Sequence, residues 1–153
     1  MPRTNSWLVA GGFLSALAAL LHLAVIAGGP DWYRFFGAGE DMARMAERGH
    51  WYPPVVTVAI ASLLAVWAAY AFAGAGLLRR LPLMRTALVA ISAVYLLRGL
   101  VLVPIAVLAP HALDSFTLWS SLIVLAYGIA YAVGTRIAWN ALSVKRKTNA
   151  LGS

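Results

Sequence analysis

The chain has 153 residues, 62% of them hydrophobic, with a net charge of +7 and no cysteine. That length suits one domain, but a mean hydropathy of +0.81 is too high for a water-soluble globule, whose apolar share lies near one half. Disulfides, thiolate metal sites and thiol nucleophiles are excluded, and the basic residues sit in short clusters beside apolar runs, without a nucleic-acid-binding pattern.

A bilayer core of about 30 Å needs about 20 apolar residues per spanning helix, and four runs meet that length, at 7–27, 55–78, 86–109 and 116–137. The expected fold class is therefore all-α: a polytopic membrane protein, a four-transmembrane-helix bundle in one domain, capped by a short amphipathic helical segment in the first outer loop. Helices are expected because strands or coil would leave backbone groups unpaired in lipid.

The first run contains one ionisable side chain, His22, about 22 Å along a helix counted from Trp7. It exceeds the about 7–15 residues of a secretory h-region and ends at Gly28-Gly29-Pro30, so a retained helix is expected rather than a cleaved signal. Gly12, Ser15, Ala19 and His22 align on one face.

The loop at 29–53 carries structure of its own. Pro30 suits the first position of a short helix, with Asp31 at its positive end. Trp32, Phe35 and Phe36 suit a membrane interface. Gly37-Ala38-Gly39 breaks that turn, and a second helix is expected from Glu40 to Arg48, with Glu40 and Asp41 in its first turn and Gly49 following it. Glu40 and Arg44 form an i,i+4 pair of the favourable order.

The second run, 55–78, has no ionisable residue and aligns Thr57, Ala61, Ala65 and Ala68. A short tribasic turn follows, with Arg79, Arg80 and Arg85. The third run carries Arg98, about 20 Å along its helix from Arg85. Ser92, Tyr95 and Arg98 recur at helical spacing, and Pro104 removes the hydrogen bond to the Leu100 carbonyl, which should kink the span. The fourth run aligns Thr117, Ser121, Tyr127, Tyr131 and Thr135 before a basic tail at 141–153 that holds Lys145, Arg146 and Lys147.

Basic clusters in the 79–85 turn and the tail follow the positive-inside pattern. They put both termini in the cytoplasm and every carboxylate and histidine outside: Asp31, Glu40, Asp41, Glu47, His50, His111 and Asp114 in loops, with His22 in the outer half of its span. An integral protein of a plasma (inner) membrane is expected, with membrane lipids as partners.

Arg98 is the main candidate for function. A guanidinium within a span costs about 2.5–3.5 kcal/mol on insertion scales and needs an acceptor. Glu40 is the favoured partner and Asp114 the second, with His22 at similar depth and Tyr95, Trp51 and Tyr131 as walls of an outer-half pocket. Such a pocket suits a lipid-like or small anionic ligand, bound or transported, with transport requiring a homo-oligomer. Two other functions fit the same residues: an intramembrane enzyme using an outer carboxylate with His22, or an accessory scaffold without a small-molecule site. The histidines lack metal-ligand spacing and no nucleotide or hydrolase motif occurs, so neither a metal nor another cofactor is expected.

Overall fold

The computed structural model describes residues 4–112 and 114–143, all helix or connection without a strand. Element order is α1 (Ser6–Gly28), α2 (Pro30–Phe35), α3 (Glu40–Glu47), α4 (Tyr52–Gly74), α5 (Met84–Leu100), α6 (Leu102–Leu108) and α7 (Ser115–Ser143), with one 3-10 turn at Pro110–Ala112. Four spans are long and apolar enough to cross a bilayer: Ser6–Gly28, Tyr52–Gly74, Met84–Leu108 and Ser115–Leu142. The chain is an all-α membrane protein built on a four-helix bundle.

Burial explains why this bundle needs lipid. Only 28% of the most apolar window of each span is buried inside the protein. Phe13, Leu20, Leu97 and Val107 are each more than 60% exposed on the bundle's outside. Apolar surface on that scale is not stable against water. The buried minority is small or hydroxylated, with Ser15, Ala19, Ala61, Ala68 and Ala71 at interfaces, as expected where helices associate by close packing rather than by the hydrophobic effect.

Two antiparallel pairs, α1 with α4 and α5 with α7, make the main contacts, and α1 against α7 joins them. Two glycines set the α5–α7 approach. A methyl group added at Gly99 would lie 2.8 Å from the Leu125 backbone, and one at Gly128 would lie 2.8 Å from the Leu96 amide nitrogen. Each step of three residues up α5 is matched by three down α7, as an antiparallel pair requires. At the start of α1, Asn5 accepts the Leu8 N–H at 3.3 Å as an N-cap and donates to the Gly134 carbonyl at 2.7 Å. One side chain thus closes a helix end and fastens α1 to α7.

The third span is interrupted at Val101, between α5 and α6. Pro104 has no N–H to offer the Leu100 carbonyl, which accounts for a break at that point. No residue of α6 is buried, so this end of the third span stands away from the bundle. The second span is displaced toward the cap relative to the apolar run at 55–78. Pro53 and Pro54 enter its first turn, where a missing N–H costs no helical bond, and Leu77 and Leu78 fall in the following turn.

Helices α2 and α3 form the cap over the α1–α4 end. Tyr33, 3% exposed, packs with Val25 of α1 and Ala43 of α3, and its hydroxyl lies 3.2 Å from the Thr57 hydroxyl. Thr57 donates to the Pro53 carbonyl, so Tyr33 donates to Thr57. The cap also meets α7. Gly37 has φ 69, and the Phe116 ring lies where its side chain would be, 2.3 Å from an added methyl. That position therefore requires glycine on both counts. The residues Lys145, Arg146 and Lys147 lie outside the described part of the chain.

Candidate functional site

The seven residues singled out by the sequence fall into five separate places. Tyr95 and Tyr131 share the bundle centre, Glu40 is in the cap, and Trp51 and Asp114 sit at the capped end. Arg98 and His22 lie on different spans, each bonded within its own surroundings. The expected convergence of Arg98 with His22 and a carboxylate is not what the side chains make.

In the centre, Ser15 Oγ lies 2.9 Å from the Tyr95 hydroxyl and 2.8 Å from the Tyr131 hydroxyl. Tyr131 donates to the Trp67 carbonyl at 3.0 Å. Each hydroxyl has one proton, so the direction of the whole chain is fixed. Tyr131 spends its proton on Trp67, hence Ser15 donates to Tyr131, and Tyr95 donates to Ser15. The network crosses all four spans and leaves no donor unpaired. Around it, Tyr95 meets Trp67, Tyr127 and Tyr131 at centroid separations of 4.9, 5.5 and 5.4 Å. These rings pack the centre of the bundle.

Glu40 finds a partner inside the cap. Both its oxygens face Arg34, with Nε at 2.9 Å and Nη2 at 3.2 Å, and Arg44 Nε lies 3.1 Å from Oε1. Arg34 also holds Glu47 at 2.6 Å and Asp31 at 3.2 Å. The reason is chain geometry: Arg34 lies in the last turn of α2 and Glu40 begins α3, so local partners meet at low loop entropy. A carboxylate satisfied at the surface gains nothing by dipping into the bundle. Arg34 and then Arg44 hold the Glu40 carboxyl down from its ordinary 4.5 to about 2, and the same contacts raise Arg34 above its usual value.

A group with a depressed folded pKa stabilises above its unfolded value and loses that contribution as pH falls through the folded one. Amide protection in α3, corrected for intrinsic exchange, should therefore hold from neutral pH to about 4.5 and decline toward pH 2. Arg34→Gln should lower it at neutral pH. Protection that is flat down to pH 2, or unaltered by the substitution, contradicts the ionic cap.

Asp114 caps α7, accepting the Thr117 N–H at 2.7 Å, and the Thr117 side chain first, then its N–H, lower the Asp114 pKa. Trp51 is 65% exposed and stacks on His50 with ring centroids 5.6 Å apart. His22 is half-buried, and its Nδ1 donates to the Ala18 carbonyl at 2.8 Å, one turn back in its own helix. Among the described residues no three His, Asp or Glu side chains converge as a metal site.

Arg98 remains. Met84, Leu88, Ile91 and Tyr95 form the buried stripe of α5, and Arg98 continues it by helical spacing. Yet Arg98 is exposed, because α6 beyond it is uncovered. Its Nη1 donates to Ser121 Oγ at 3.2 Å, and Ser121 is fully buried. All four ion pairs among the described residues belong to the cap, and none includes Arg98. A permanent charge about 10 Å below the start of α7 thus has a neutral hydroxyl partner and is otherwise exposed.

Arg34 was not singled out by the sequence reading, although Asp31 at i,i+3 and two further acids in the same loop are a usable signal for it. Comparison with family models, with curated proteins and with solved structures finds no match to this chain.

Proposed function

We propose that this membrane protein holds the anionic head group of a lipid-like or small anionic ligand at Arg98, in the half of the bundle next to the cap. The observation that carries this reading is the position of Arg98. It continues a buried stripe, lies where the third span parts from the bundle, and among the described residues has no carboxylate to neutralise it. A hydrogen bond to a charged group contributes about 1.5–3 kcal/mol, so one bond to Ser121 leaves most of the donor capacity of a five-N–H guanidinium unused. A phosphate or carboxylate can take it up bidentately.

An enzyme reading has less support. General acid work calls for a carboxyl with a raised pKa, whereas Glu40 and Asp114 are both lowered by their partners. In the proposed setting the protein lies in a plasma (inner) membrane with both termini cytoplasmic, so that the cap and Arg98 face outward. Lipids are its partners, nucleic acid is not, and any transport path is completed by further copies of the chain.

Lipid that copurifies with the protein provides the test, read by native mass spectrometry. Wild type should retain an anionic amphiphile, Arg98→Lys should retain less, and Arg98→Leu about tenfold less. Equal retention by folded wild type and Arg98→Leu contradicts the proposal.

A further inference from the structure

Gly99 and Gly128 hold α5 and α7 close where they cross. Toward the basic end, side chains replace glycine as spacers, and a groove of about 390 Å³ opens between the two helices. Val89, Ala93, Leu96 and Ala132 give it apolar walls, and Thr135, Arg136 and Trp139 close its basic end. Three features of that end point to an occupant.

Thr135 is 5% exposed, and its hydroxyl has no hydrogen-bond partner. Buried polar groups are rarely left so. Arg136 is exposed at the rim and makes no ion pair among the described residues. No side chain of the chain can supply one here, since Asp31, Glu40, Asp41, Glu47 and Asp114 all belong to the opposite end. Trp139 lies beneath the Arg85 guanidinium, 4.3 Å from ring centroid to carbon, and Arg85 also donates to the Trp139 carbonyl at 2.8 Å. The groove therefore runs from an apolar middle to a rim of arginine and tryptophan, the order of layers met along a phospholipid from chain to head group.

We infer that this groove holds an anionic glycerophospholipid of the basic-side leaflet. One acyl chain lies along Val89, Ala93, Leu96 and Ala132, the phosphate meets Arg136, and the Thr135 hydroxyl, turned out of its buried rotamer, donates to a glycerol ester oxygen. A second copy of the chain is the other apolar occupant to weigh. Docked here about a two-fold axis, it would bring its own Arg85 and Arg136 against these, with no carboxylate to neutralise them. Charge complementarity selects the lipid. The head-group end of the site, at Arg136, shares no contact with Arg98, which bonds Ser121, and stands or falls independently of it.

The test uses the full chain in nanodiscs containing phosphatidylglycerol with a photoreactive diazirine in its acyl chain, and, separately, phosphatidylcholine with the same chain. The phosphatidylglycerol probe should label residues 89–96 and 132–139, and the phosphatidylcholine probe should label them weakly. Arg136→Gln, a change at an exposed position, should cut the phosphatidylglycerol labelling about tenfold. Ala93→Leu, which fills the groove and keeps the charge, should also reduce it, while Arg98→Leu should leave it unaltered. Equal labelling by the two lipids, wild-type labelling in either groove variant, or cross-links joining two copies through these segments each overturns the inference.

Discussion

Truncating Tyr131 to alanine should destabilise the bundle by about 3–5 kcal/mol, the usual range for deleting a buried aromatic side chain. Tyr131 is fully buried, it packs on Tyr95, which in turn meets Trp67 and Tyr127, and its hydroxyl is the node between Ser15 and Trp67. The fixed proton order makes the conservative substitutions informative. Tyr131→Phe deprives Ser15 of its acceptor, so a buried donor is orphaned at about 1–2 kcal/mol. Tyr95→Phe removes only a donor at the end of the chain and leaves Ser15 bonded to Tyr131, so it should cost less, below about 1 kcal/mol. Unfolding free energies in mixed micelles titrated with a denaturing detergent check the order. Equal costs for the two phenylalanine variants contradict the assigned direction.

Gly99→Leu is expected to be at least as damaging, about 3 kcal/mol or more, because its side chain has no space to enter. Contacts of 2.8 Å from an added methyl to the Leu125 backbone cannot be relieved by rotating a side chain. The helices must separate, with the strain typical of overpacked interiors, about 1–3 kcal/mol for modest insertions. Gly99→Ala should fall in that lower range. Leu97, two residues away and 68% exposed, is the control, since Leu97→Ala removes only lipid-facing surface and should change stability little. The same unfolding measurement applies. A Gly99→Leu protein as stable as wild type contradicts the close crossing.

The spans, the cap and the hydroxyl faces were legible in the residues because each rests on local periodicity. Ser15, Ser121, Tyr131 and Thr135 lie at helical spacing and are buried as that spacing implies. Ala65 of the expected second-span stripe is exposed, and Leu64 takes its place in the interface, a shift of one residue that periodicity among alanines does not resolve. Partner choice was less legible. The carboxylate expected beside Arg98 is held by Arg34, because two ions six residues apart in a surface turn meet more readily than two on separate elements. The groove beside Thr135 was hidden for another reason: it depends on where α5 and α7 cross, and apolar content does not say which spans are neighbours. The glycines at 99 and 128 carry that information only once the pairing is known.

The Arg98 guanidinium Nε–H resonance, assigned by its loss in Arg98→Lys, gives the most direct view of the site. Titrating nanodiscs with an anionic amphiphile should shift that resonance saturably, while a neutral amphiphile of the same chain leaves it in place. A resonance indifferent to both, or moved equally by both, would mean that Ser121 and the bilayer already satisfy this charge and that no anion is recognised there.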